Sequence, residues 1–196
     1  MKKLFLISIL TICYLTNYSQ DPGKFTDPRD GKTYKSVKIG NQIWMAENLA
    51  YKASSGCWVY NDDQSNVAKY GYLYNWATAK TVCPTGWHLP SDNEWTTLVN
   101  NLGGQNVAGG KMKATTGWNN PNNGATNESG FTALPAGNRG YSEGSFLNMG
   151  TNTNFWSSTP SGSDYAWLRT LDYYCGKVGR YYLKRTCEYS VRCAKD

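Results

Sequence analysis

The chain has one histidine, His88, among 196 residues. A multi-histidine metal site is therefore excluded, and a serine hydrolase would have to use His88 as its base. Placed between Trp87 and Leu89 just ahead of a helix signal, His88 reads instead as a hydrogen-bonded structural residue. Charge is also scarce, at 17% of residues with a formal net charge of +6. The basic residues are scattered, except that Lys177, Arg180, Lys184 and Arg185 interleave with Tyr173, Tyr174, Tyr181 and Tyr182. Such interleaving suits nucleic acid in principle, but it reads here as the solvated faces of late strands. No nucleic-acid partner is expected.

Other absences narrow the chemistry further. No Gly-rich loop follows a strand and opens a helix, so Gly103-Gly104 and Gly109-Gly110 read as turns rather than a phosphate cradle. Asn61-Asp62-Asp63 with Asn66 offers hard oxygen ligands but no EF-hand spacing, and reads as a polar turn. Glu94, Glu128, Glu143 and Asp164 are available as carboxylate pairs for glycoside hydrolysis, yet nothing near them marks one as acid and another as nucleophile. No catalytic residue, metal site or cofactor is expected. No internal repeat with a period of 20 to 50 residues is visible, which argues against a solenoid or propeller.

Long apolar runs are missing too. Lys2 and Lys3 precede the apolar stretch Leu4 to Leu15, which is too short to span a bilayer, and small Ser19 follows. Residues 1–19 thus read as an export signal cleaved near Ser19. Cys13 is a weak lipidation candidate, because bulky Ile12 stands where a small residue normally precedes a lipoprotein cysteine. Residues 20–32, with Pro22, Gly23, Pro28 and Gly31, read as a linker, and one domain runs over 33–196. No integral membrane segment is expected after cleavage.

What is abundant is aromatic: eight Trp, fifteen Tyr and five Phe. Large amphipathic rings suit a small core and glycan contact alike. Tyr34, Val37 and Ile39, the turn Gly40-Asn41 and Ile43-Trp44-Met45 read as a β-hairpin. Leu73, Trp76, Ala77 and Lys80 at helical spacing predict a helix over 70–82, stopped by Cys83-Pro84. A second helix is marked by the capping box Ser91 to Glu94, by the apolar stripe Trp95, Leu98, Val99 and Leu102, and by the stop Gly103-Gly104. Twelve Asn and eleven Gly between Asn100 and Asn154 read as long ordered loops, anchored by Met112, Trp118, Phe131, Leu134, Phe146 and Phe155. Strands follow at 155–158, 166–171, 178–183 and 189–193. Trp118 and Trp156, like Trp44, Trp76, Trp87 and Trp95, are expected in the scaffold.

The segments Phe25 to Leu49, Cys83-Pro84-Thr85-Gly86-Trp87-His88-Leu89-Pro90 and Ser190-Val191-Arg192-Cys193 resemble the Fibrobacter succinogenes major paralogous domain, covered almost end to end. The order of hairpin, two helices, loops and terminal strands resembles the C-type-lectin-like fold shared with formylglycine-generating enzymes and phage receptor-binding variable proteins. The resemblance implies an α+β, C-type-lectin-like domain, two helices packed on small antiparallel sheets with long ordered loops. It implies no activity. The calcium motifs of animal C-type lectins are absent. A copper oxidase of formylglycine-generating type needs two cysteines with four residues between them, and here Cys175 is followed by Arg180 at the matching position.

Beyond the signal segment five cysteines remain, an odd number. A Cys83–Cys193 bridge would close most of the domain, a loop worth about 4 to 5 kcal/mol on the chain-entropy model. Cys175 and Cys187 are expected to staple a late hairpin, leaving Cys57 odd and available to link a partner chain. The functional expectation is an exported, non-catalytic module that binds a surface polysaccharide or protein. The alternatives are the copper oxidase and a structural subunit joined through Cys57. Loops and late strands rich in Tyr, Trp, Ser, Gly and Asn make adaptable contact surfaces. The expected contacts are Tyr141, Tyr165, Trp167, Tyr173, Tyr174 and Arg180.

Overall fold

The structure, a computed structural model, describes residues 23–140 and 144–196. The expected export signal and its expected cleavage point, Cys13 and the candidate contact Tyr141 lie outside the described residues.

The protein is mostly β-sheet with a few short helices. Strand β1 (Gly23–Thr26) pairs antiparallel with β2 (Thr33–Ile39), which turns at Gly40-Asn41 into β3 (Gln42–Met45). The expected hairpin is present, and Gly40 takes a φ of 60° in its turn. The expected linker over 20–32 is corrected from Gly23 onward, since β1 belongs to the sheet. Then come β4 (Cys57–Trp58), α1 (Val67–Tyr70), β5 (Leu73–Asn75), α2 (Trp76–Ala79) and β6 (Trp87–His88). The helix expected over 70–82 is thus a strand followed by one helical turn. Tyr74 pairs with both Tyr189 and Cys57, so its stretch is buried between two strands, and a run buried on both sides mimics helical spacing.

Helix α3 (Asp92–Asn101) matches expectation: the Ser91 side chain accepts from the Glu94 amide, and the Glu94 carboxylate accepts from the Ser91 amide. The Asn- and Gly-rich region holds more regular structure than expected. It contains α4 (Gln105–Met112), β7 (Ala136–Arg139) and β8 (Phe146–Met149), with irregular chain between α4 and β7. The remaining strands are β9 (Asn152–Ser161), β10 (Tyr165–Asp172), β11 (Val178–Lys184), β12 (Glu188–Ser190) and β13 (Ala194–Lys195). Of the strand expected at 189–193, Tyr189 and Ser190 belong to β12, while residues 191–193 are irregular chain that leads into β13 in the other sheet.

One sheet has the order β1-β2-β3-β13-β6, and the other runs β11-β10-β9-β7-β12-β5-β4 with β8 paired to β7. Trp44, Trp95, Phe131 and Phe155 form a ring cluster beneath α3, with centroids 4.6 to 6.1 Å apart. A second core gathers Tyr34, Trp76, Trp156, Leu168 and Tyr189. All six tryptophans assigned to the scaffold are buried. The indole N–H groups of Trp76, Trp95, Trp118 and Trp156 each donate to a backbone carbonyl, so their burial leaves those donors satisfied.

The Cys83–Cys193 bridge is formed, spanning 110 positions and fastening the C-terminal segment to the chain between α2 and β6. The expected Cys175–Cys187 bridge is not: neither cysteine is in a disulfide, nor is Cys57. Cys175 lies in the turn that joins β10 to β11, whereas Cys187 lies beyond the far end of β11. A seven-residue strand separates them, roughly 20 Å at ordinary strand rise, well past disulfide reach.

Candidate functional site

Side chains alternate across a sheet, so register decides which residues share a surface. Strands β10 and β11 pair without interruption from Tyr165 opposite Lys184 to Leu171 opposite Val178. One face therefore carries Trp167 with Tyr182 and Arg169 with Arg180; the other carries Leu168 with Tyr181 and Thr170 with Gly179. On β9, Asn154 faces Thr170 and Asn152 faces Asp172, which puts both asparagines on the Thr170 face.

That second face opens into a trough of about 800 Å³. Asn138, Asn148, Asn152, Asn154 and Thr170 line it together with Tyr181, Leu183 and Tyr189. Trp167, Arg180 and Tyr182 also border it, at strand positions whose side chains the register turns to the opposite face. The polar groups orient one another. Thr170 Oγ1 donates to Asn154 Oδ1 at 2.6 Å, Asn154 Nδ2 to Asn152 Oδ1 at 2.6 Å, and Asn148 Nδ2 to Asn138 Oδ1 at 2.9 Å. A carboxamide has two donor hydrogens and two acceptor lone pairs, so each retains hydrogen-bonding capacity. At the end of this row burial pushes the Asp172 carboxyl above its usual range, against the hydrogen bond from Asn152. Apart from Arg180 at the rim, the lining carries no charged side chain. Exposed Tyr181 stands beside it.

The opposite face is arranged differently. Asp92, in the first turn of α3, accepts from buried Arg169 at 2.6 Å and from Arg180 at 2.8 Å. Burial works against the Asp92 charge, but hydrogen bonds from Arg180 and Arg169 hold its pKa below the usual value. The Arg180 guanidinium lies 3.6 Å from the Trp167 ring centroid, and Tyr182 packs edge-on to Trp167 and Tyr165 at 5.2 and 5.9 Å. Of the sequence-predicted contacts, Tyr165, Trp167 and Arg180 are thus brought together here. Tyr173 and Tyr174 are not with them: they pack against each other at 5.6 Å where β10 ends.

The trough asparagines were missed because their stretch reads as turn-forming. The available signal was the i, i+2 spacing of Asn152 and Asn154 directly before Phe155-Trp156, which places two amides on one face.

The other chemical candidates are placed as follows. His88 bonds Asp196 through Nδ1 at 2.6 Å and Glu94 through Nε2 at 2.7 Å, tying β6 to the first turn of α3. Cys57 Sγ donates to the Ala53 carbonyl at 3.3 Å, and burial raises its pKa, so its thiolate is scarce. Glu188, nearly buried beside Arg139, has its pKa pushed up to about 7 by desolvation, and its Oε2 has no hydrogen-bond partner. No group of three or more His, Cys, Asp or Glu side chains suited to a metal occurs among the described residues. No helix among them is long and apolar enough to cross a membrane.

The family model described as the Fibrobacter succinogenes major domain matches residues 37–195, from β2 through β13. No curated protein and no solved structure matches the chain.

Proposed function

The chain belongs to the Fibrobacter succinogenes major domain family, and from that premise we propose that it is an exported, non-catalytic module that binds a neutral surface polysaccharide through the amide trough. The observation that carries this reading is the lining: four asparagines and a threonine around one opening, hydrogen-bonded among themselves and bordered by tyrosine rings. Sugar hydroxyls both donate and accept, and carboxamides answer them in kind. Tyrosine rings add apolar area for the sugar's C–H face at low entropy cost. A trough of about 800 Å³ falls within the usual range of ligand sites. The lysine-led apolar segment at residues 1–19 supports export, and the hairpin and terminal-strand motifs support a C-type-lectin-like relationship for the scaffold.

The test is a glycan array probed with the chain lacking residues 1–19, alongside Asn154→Ala/Tyr181→Ala and Tyr165→Ala/Trp167→Ala. The trough pair weakens binding at least about tenfold, the loss of one or two net hydrogen bonds and a ring contact. The aromatic pair on the opposite face leaves binding within a few-fold. The reverse pattern would move the site to the Trp167 face, and no binding to any glycan would remove the polysaccharide reading.

A further inference from the structure

Away from the trough, a smaller cavity of about 130 Å³ lies between β2, the segment after β3, α1 and the loop leading into β7. Its lining includes Lys32, Lys35, Glu47, Lys69, Thr132 and Arg192, four cationic residues to one carboxylate. They come from five separate stretches of chain, so the excess of positive charge is a product of the fold.

Arg192 is the unusual member. Its side chain is fully buried, yet no carboxylate bonds it. Its Nε donates to Asn48 Oδ1 at 2.7 Å, Nη1 to the Met45 and Phe131 carbonyls at 3.2 and 2.5 Å, and Nη2 to the Thr132 carbonyl at 3.0 Å. A guanidinium has five N–H groups, and these bonds use four. The fifth, on Nη2, has no protein acceptor among the described residues, and it belongs to the end of the side chain that reaches Thr132 at the cavity wall. Burial works against the charge, and the nearby Glu47 carboxylate offsets it only in part. Glu47, the one carboxylate at hand, accepts the Lys35 backbone N–H through Oε2 at 2.7 Å and makes no hydrogen bond to Arg192.

We propose that this cavity binds a small oxyanion, a phosphate, sulfate or carboxylate group, held by the free N–H of Arg192 and the ammonium groups of Lys35 and Lys69. The oxyanion supplies counter-charge beyond that of Glu47, and a pocket with an excess of positive charge concentrates such an ion from solution. The volume suits one such group and not a sugar chain, so the anion is either a free ion or a pendant group of an acidic ligand. This site is distinct from the neutral trough and does not depend on it.

The test uses the chain lacking residues 1–19, with inorganic phosphate and sulfate titrated by calorimetry and by thermal unfolding against chloride at equal ionic strength. The variant is Lys35→Gln/Lys69→Gln, two exposed positions, with Arg192 left in place because its removal threatens folding. Saturable stabilisation by phosphate or sulfate beyond chloride, weakened about tenfold or more in a variant that melts normally in chloride, is the expected result. A sulfated or phosphorylated oligosaccharide that binds more tightly than the inorganic ion assigns the site to a pendant group; equal or weaker binding assigns it to the free ion. No response beyond chloride, or the same response in the variant, would overturn the proposal.

Discussion

The two faces of the β10–β11 ribbon are built from one pair of strands and serve opposite ends. On the α3 face charge and rings are consumed internally: Asp92 serves two arginines, and Arg180 is also stacked on Trp167. On the other face short neutral amides hold one another in place while keeping donors and acceptors free. The difference teaches that conspicuous residue types do not by themselves mark a binding surface. Arg180 and Trp167 attract attention in the sequence, yet their strongest partners are each other and α3. The asparagines look like turn filler and line the larger opening.

The largest break in this comparison comes from Asp92→Ala. It leaves Arg169, whose side chain is 3% exposed, without its carboxylate, so a loss of about 3 to 5 kcal/mol is expected in urea unfolding. The binding proposed at the trough is expected to persist wherever the variant remains folded.

A pH effect follows from Glu188, at the edge of the trough strands. Its folded pKa of about 7 exceeds the ordinary value of 4.5 because burial favours the neutral acid. The stability it contributes is therefore fully present below about pH 4.5 and is lost as pH rises through 7, a change of up to about 3 kcal/mol. Glu188→Gln flattens that slope in a pH series of melts.

Smaller effects sharpen the contrast. Arg180→Ala costs about 1 kcal/mol, because its ion pair and ring contact are partly solvated and Arg169 still neutralises Asp92. His88 is smaller still. Burial opposes its charge, but hydrogen bonds to Asp196 and Glu94 raise its pKa, so its contribution is present below about pH 6.5 and lost as pH rises through the folded value. With the ring 37% exposed, His88→Gln is expected to change stability by less than about 1 kcal/mol in the same unfolding assay.

Local signals made part of this fold legible in advance. The Gly40-Asn41 turn and the Ser91 to Glu94 capping box act within a few residues, and both stand as read. The strand at Leu73–Asn75 was not legible, because what makes it a strand is pairing with Tyr189, more than a hundred residues away. Helix α4 was hidden by Gly109 and Gly110, ordinarily helix-weakening. A Cβ at Gly109 would strike the Lys177 carbonyl, and one at Gly110 the Gly124 carbonyl, so these glycines permit the close packing that holds the helix. The Cys175–Cys187 expectation failed on a register that composition does not encode. The candidate site was half visible: Tyr165, Trp167 and Arg180 do share a face, but the neighbouring amides emerge only when β7, β8 and β9 are brought side by side.

The most direct test of the central claim is heteronuclear NMR of the folded chain as it is titrated with a glycan that binds it. The side-chain amide resonances of Asn138, Asn148, Asn152 and Asn154 and the indole N–H of Trp167 report the two faces separately. The account predicts saturable shifts of the asparagine amides with the Trp167 indole nearly unmoved; a shifting Trp167 indole over unmoved asparagine amides would contradict it.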